Sequence, residues 1–447
     1  MSAGPNSPSL FTQVTYGNGQ IAGQVMRDVP SLLLLFFMTN TLGIPAAVAG
    51  TAIFVPKLLV AASSDILVGV VADQFKAKLP FYWWLLFGAI LAPVAMLLLF
   101  NVPDASQGFQ VGYIAIVLSL YMAVFASFSV PYLAIAAALS NDPHQRTVLM
   151  AWRLVFTAIG ILVAGGLAPS LIDQWGGDRR AYSLLSGLLA AICCMSLIIA
   201  FIGSRKALMM ADLTAADTVS ASLDLGEMLK AVSLPRFSVL LTANIIQLTG
   251  TGMSYAAMLY FLTYAMAIEN PFAAIGIVIA LTTLGIILAQ PMWVALSKRS
   301  SKKTVYIAGS ILHGVVIALW GLSASFIGIS GAYFLSFMIG VANSGWAMLG
   351  FSMVADIAGK SRSGLFSSIW IAADKIGFAL GGTFLIGLTL STFGFDSAKA
   401  VAGLAQSSGA ITGTVMAFAF IPAAFYFVGA TIMGIWGQDT EPEAETE

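Results

Sequence analysis

Ala47 to Ala72 reads AVAGTAIFVPKLLVAASSDILVGVVA, an apolar run of membrane-spanning length that nevertheless carries Lys57 and Asp65. A transmembrane helix needs about 20 mostly apolar residues. A charge near its centre costs about 2.5–3.5 kcal/mol even on the lenient insertion scale, and is kept where it faces a cavity or a partner. Lys57, Ala61 and Asp65 are spaced by four, so they share one helical face. Asp374 and Lys375 interrupt a second apolar run towards the far end of the chain. Intramembrane charges of this kind are a first sign of a chain that moves a solute across a bilayer.

The composition agrees. Hydrophobic residues make up 59% of the 447 residues and charged residues 9%, against about 25% charged in soluble domains. So few polar groups cannot cover a water-facing surface, and the lipid bilayer is the expected partner. Twenty basic residues balance twenty acidic ones, which gives no case for a nucleic-acid partner. Cys193 and Cys194 are adjacent in an apolar run and read as packing residues. Met1 to Thr15 is polar without a basic n-region, so no signal peptide is expected.

Apolar runs give twelve segments, at about 22–43, 47–72, 80–100, 111–138, 147–172 and 181–203, then 236–266, 272–296, 304–326, 328–354, 364–392 and 410–434. The expected fold is an all-α membrane protein of two six-helix halves, 1–203 and 236–434. A cytoplasmic linker, 204–235, joins them, and an acidic cytoplasmic tail, 435–447, follows. With the chain starting inside, the inner loops hold Lys76, Lys78, Arg146, Arg205, Lys206, Lys230, Arg236, Lys298, Arg299, Lys302, Lys303, Lys360 and Arg362; the outer loops hold Arg179, Arg180 and Lys399. That bias predicts both termini on the cytoplasmic side.

The halves repeat in parallel. Val70-Val71-Ala72-Asp73-Gln74-Phe75-Lys76-Ala77-Lys78 follows the second span and Val294-Ala295-Leu296-Ser297-Lys298-Arg299-Ser300-Ser301-Lys302 the eighth, with Tyr82 and Tyr306 in register. Six plus six spans with such a repeat is the layout of the major facilitator fold. Asp65 falls opposite Ala289 in this register. An asymmetric charge points to function, because architecture alone would recur in both halves.

Asp65 is therefore the candidate coupling group, able to take a proton or to ligate sodium, and Lys375 is its candidate counter-charge. A fixed buried ion pair is the bland reading of both. Asp28, beside Arg27 in the first span, either is solvated at a helix end or lines the cavity. Trp370 is a candidate cavity aromatic. Asp73, Arg146, Arg153, Asp356 and Arg362 read as gating or inner-turn charges, with Arg153 expected to hold an inner-loop carboxylate or carbonyl. His313 reads as a packing histidine before a proton relay. There is no Walker loop or catalytic constellation. No enzyme activity and no cofactor are expected; the driving force is a coupling ion, H+ or Na+.

Several stretches, in order along the chain, resemble the glycoside–pentoside–hexuronide:cation symporters, the melibiose-permease-like branch of the major facilitator superfamily. They are Tyr16-Gly17-Asn18-Gly19, Phe37-Met38-Thr39-Asn40, Asp65-Ile66-Leu67-Val68-Gly69 with Asp73, Ser129-Val130-Pro131-Tyr132 with Arg146 and Arg153, Met353-Val354-Ala355-Asp356, and Lys375-Ile376-Gly377. The resemblance implies cation-coupled symport of a sugar or glycoside, a cation role for Asp65 and a match of Lys375 to the family's lysine. Departures from the pattern are informative. A carboxylate position one turn before Asp65 is Ala61, and an asparagine position is Ser64. One carboxylate offers sodium few hard oxygen ligands, whereas a proton needs Asp65 alone, so a proton is favoured; sodium would use Asp65 as its metal ligand. The family's sugar-gripping aspartates fall at Gln24 and Ser129, and its stacking tryptophan at Leu133. Gln24, Asp28, Ser129 and Trp370 are thus the substrate-site candidates.

The resulting expectation is a monomeric secondary transporter of a bacterial inner membrane, carrying a small organic solute by alternating access. A lysolipid carrier is the first alternative, because the lining is more apolar than a galactoside site. A non-transporting receptor or assembly factor is the second.

Overall fold

The structure, a computed structural model, describes residues 9–75, 78–139, 143–210 and 225–439. Among the described residues it is helical throughout, with turns and no strand. A chain this apolar has little choice, because in lipid each backbone N–H and C=O must find its partner within its own helix.

Among the described residues eleven helices are long and apolar enough to cross a membrane, and the bent pair that ends in span 7 makes a twelfth. They are, in order, span 1 Leu10–Asn40, span 2 Ala46–Gly69, span 3 Phe81–Phe100, span 4 Gln107–Leu133, span 5 Val148–Gln174 and span 6 Arg179–Lys206, then span 7 Pro235–Ala265, span 8 Pro271–Arg299, span 9 Lys302–Ser323, span 10 Gly328–Ala358, span 11 Leu365–Thr392 and span 12 Ser408–Trp436. Span 7 is preceded by the short helix Gly226–Ser233, bent from it by 85°. The starts are chemically marked. Ser9, Ser301 and Ser407 each accept a hydrogen bond from an N–H of the first turn, and Pro235 and Pro271 occupy first positions where no N–H is needed.

One boundary differs from expectation. The inner turn anticipated between spans 10 and 11 is itself helical, and the helical backbone runs unbroken from Gly328 to Ala379, 52 residues. The junction residues 359–364 contain no proline to stop it. Fifty-two residues at 1.5 Å each would be about 78 Å of straight helix, more than twice the hydrocarbon thickness, so the element counts as two spans.

The parallel repeat shows in wide helical turns. Five-residue π turns occupy Pro30–Leu34 in span 1, Phe261–Ala265 in span 7 and Val163–Leu167 in span 5, and a six-residue one occupies Leu380–Leu385 in span 11. Spans 1 and 7 are repeat equivalents, as are spans 5 and 11. In the latter pair the wide turns contain Gly165-Gly166 and Gly381-Gly382. Met416–Phe420 in span 12 is a fifth such turn.

By packing, the chain forms two units. The first comprises Met1–Leu34 and Val55–Ser220; the second comprises Leu35–Phe54 and Ala221–Glu447. The second unit thus takes in the end of span 1 and the beginning of span 2. The chain leaves one unit for the other just after the π turn of span 1 and beside Pro56 of span 2.

Inside the second unit, the Thr39 and Tyr260 hydroxyls lie 2.6 Å apart, Tyr264 donates to Asn40, and Phe36 meets Tyr260 and Phe272 edge-on. Spans 7 and 11 touch backbone to backbone: a Cβ on Gly381 would land on the Thr249 carbonyl oxygen, and one on Gly252 on that of Phe378. Small residues allow this approach, and in lipid such packing is a main source of helix association. Gly381→Val should therefore lower the thermal midpoint of the purified protein, at a cost of about 1–3 kcal/mol or more for overpacking. Gly434→Ala, where an added Cβ meets nothing within 4 Å, should leave it unchanged. Equal midpoints for Gly381→Val and the parent would refute the contact.

Candidate functional site

Among the described residues each unit holds a polar cluster built on the first span of its half. In the first unit Gln20, Gln24 and Asp28 are spaced by four and so line one face of span 1. Gln24 Nε2 donates to Asp28 Oδ2 at 2.6 Å, and Arg27 Nε donates to Asp28 Oδ1 at 2.9 Å. The pair is lopsided: the Asp28 side chain is 12% exposed and that of Arg27 61%. Lys57, from span 2, donates to Ser31 Oγ at 3.2 Å and lies close enough for Asp28 to feel its charge. Asp28 is thus a buried carboxylate deep in span 1, met by an amide and two cations. The alternative of a solvated helix end does not hold, because 18 residues of span 1 precede it.

Arg153 packs against the same face. Its Nε donates to Gln20 Oε1 at 2.7 Å and its guanidinium stands 5.6 Å from the Tyr132 ring centroid. Among the described residues a side-chain amide of span 1 is thus one partner of this guanidinium. Tyr132 stacks on Tyr16 at 4.7 Å, and each hydroxyl donates to the other residue's carbonyl, at 2.6 and 3.3 Å. This reciprocal clasp fixes span 4 to span 1 and carries Ser129, which is half-buried one turn before Tyr132. Asp65 is also half-buried, two turns beyond Lys57.

In the second unit Asn244, Gln247 and Thr251 form the corresponding stripe on span 7. Asn244 Nδ2 donates to Asp374 Oδ1 at 2.6 Å. Gln247 receives the Tyr306 hydroxyl at 2.5 Å and donates to Ser310 Oγ at 2.7 Å. Thr251 pairs with the Tyr426 hydroxyl at 2.8 Å. His313 stacks on Tyr426 at 4.0 Å and accepts at Nδ1 from Trp346 Nε1 at 3.2 Å. His313 is therefore held in the interior by an aromatic stack and one donor.

Trp370, the candidate cavity aromatic, lies in the interior of the second unit. It is 1% exposed, belongs to the same buried cluster as Phe237, Tyr306, Trp346 and Phe366, meets the Phe351 ring edge-on and has its own ring against Gly350. The missing side chain of Gly350 leaves the space that the indole fills. Lys375, in contrast, is exposed. Asp356 Oδ2 pairs with Lys302 Nζ at 2.5 Å, tying the end of span 10 to the start of span 9. The side chains of Asp73, Arg146 and Arg362 lie outside the described residues.

Sequence reasoning passed over Gln20, Asn244 and Gln247, and it set Lys57 only beside Asp65. The signal was present: polar residues at spacings of three and four within apolar spans mark a face that is not meant for lipid.

The signature of the family described as "MFS/sugar transport protein" matches residues 15–435. The inner membrane symporter YicJ of Escherichia coli strain K12 is 27% identical over 438 residues, covering 95% of this chain and 91% of that protein. The putative glycoside/cation symporter YagG of the same strain is 23% identical, covering 94% and 90%. Among solved structures, a bacterial homolog of the human lysosomal transporter Spinster, inward-facing and unoccupied, superposes with a TM-score of 0.74 at 14% identity, over 98% of this chain and 100% of that one. That likeness establishes the fold. The clusters on spans 1 and 7 thus belong to a secondary transporter, and the chain is a member of the MFS/sugar transport protein family.

Proposed function

We propose that this chain imports a sugar, glycoside or related polyhydroxylated solute across a bacterial inner membrane, driven by proton entry. The observation that carries the solute class is the Gln24–Asp28 pair, 2.6 Å apart and buried in span 1. A carboxylate beside an amide offers acceptors and donors together, which is what sugar hydroxyls, each donor and acceptor, require. Ser129 of span 4 supplies a hydroxyl from the neighbouring helix. The names of relatives as glycoside and cation symporters support the same class.

Asp65 is assigned the coupling proton and Lys375 the counter-charge. Support comes from their position in apolar spans and from their absence at equivalent places in the other half, where Asp65 is matched by Ala289. Ala61 and Ser64 around Asp65 favour the proton over sodium, because they withdraw carboxylate and amide oxygens from a metal. Binding and releasing a proton changes the charge that Lys375 must balance, and this difference biases the alternation between states. Arg153, Asp356, Arg146 and Arg362 are assigned to the stability of those states. The excess of Lys and Arg in the inner loops supports cytoplasmic termini, and the monomer is taken as the working unit.

Asp65→Asn in proteoliposomes should abolish uphill uptake while solute counterflow persists. Concentrative uptake at the parent rate in this variant would reject the assignment. Asp28→Asn should weaken solute binding by about 10- to 100-fold, the value of a hydrogen bond to a charged group, with the thermal midpoint of the empty protein checked alongside. In a thermal-shift panel, sugars and glycosides should stabilise the parent, and stabilisation by lysolipid alone would transfer the chain to the amphiphile carriers.

A further inference from the structure

Asp374 has no role in the coupling assigned to Asp65, yet it is an intramembrane carboxylate with a built surrounding. It lies in span 11, half-buried, with Oδ1 taking the Asn244 amide N–H at 2.6 Å. Oδ2 receives no donor among the described residues, and no basic group stands within 4 Å of the carboxylate among them. Span 7 presents the neutral Asn244 to it. Span 9 presents the phenol of Tyr306, near enough to sense the carboxylate and itself donating to Gln247. On its own span Trp370, four residues earlier, shares its face, and Lys375, the next residue, projects about 100° away around the helix. Farther along span 9, His313 is already engaged with Trp346 and Tyr426. Asp28, by contrast, is met by both Arg27 and Lys57.

A half-buried intramembrane carboxylate is stabilised by a compensating charge, and none of these neighbours places a cation within 4 Å of it among the described residues. We propose that Asp374 is a proton-binding site of the second unit, in which a proton from water adds to Oδ2 while Asn244 holds Oδ1. The site is distinct from Asp65 and requires no solute. Asn244 is its positioning residue: the amide fixes which oxygen stays available. The orphan indole N–H of Trp370, buried one turn away without an acceptor among the described residues, places a spectroscopic reporter beside the group.

The test is pH-difference infrared spectroscopy of the purified full-length chain, without added solute or sodium. The parent should show a protonated-carboxyl stretching band that grows as pH falls. One carboxyl equivalent should vanish in Asp374→Asn, persist in Asp65→Asn, and return at a shifted frequency in Asp374→Glu. Asn244→Leu, which keeps the carboxyl and removes its donor, should shift that component, and it is read in place of Asp374→Asn should the latter not fold. A difference spectrum unchanged by Asp374→Asn would overturn the proposal. So would loss of the component in Asp65→Asn alone, which would return the signal to Asp65, or its displacement by sodium chloride at fixed pH, which would make the site a sodium site. Failure of the Asp65 assignment would show separately, as concentrative uptake surviving Asp65→Asn.

Discussion

Facing lipid, a polar side chain finds no water, so one within a span is favoured where it meets another part of the protein, a ligand or a water-filled cavity. This constraint organises the molecule. The polar residues of span 1 are spaced so that Gln20 answers Arg153 and Gln24 answers Asp28. Those of span 7 answer Asp374, Tyr306, Ser310 and Tyr426 in the same way. Around these stripes lie aromatic stacks and glycine crossings, which add close packing without adding polar demand.

The two halves share their architecture but not their chemistry. π turns recur in spans 1 and 7 and in spans 5 and 11, and paired glycines recur in the second of these couples. The basic turns recur, but the charges inside the spans do not. Asp28, Lys57 and Asp65 belong to the first half, and Asp374 and Lys375 to the second. Repetition explains how the scaffold is built, and the departures from repetition are where the proposed solute and ion sites lie.

Much of this was legible in the sequence because its dominant signal is coarse. Apolar runs of the right length fix the number of spans whatever the details of packing, and a charge inside such a run stands out at once. Finer features needed the fold. Helical continuity from Gly328 to Ala379 was hidden because polar residues between apolar runs look like a turn, although nothing in them forbids a helix. The burial of Trp370 depends on Gly350, twenty residues earlier on a different span. The pairing of Lys57 with Ser31 joins two spans whose relative rotation no one-dimensional pattern supplies. Gln20 and Asn244 were within reach, since helical spacing alone separates them from lipid-facing positions.

The boundaries of the packing units have a mechanical consequence. Spans 1 and 2 each belong partly to one unit and partly to the other, and the crossing points lie at Pro30–Leu34 and next to Pro56. A π turn and a proline both weaken the regular ladder of backbone hydrogen bonds. A rod clamped at both ends to different bodies must flex where it is softest. Bending that keeps each unit intact therefore falls on these two creases, and Asp28 and Lys57, both within the first unit, keep their spacing as the chain flexes beside them.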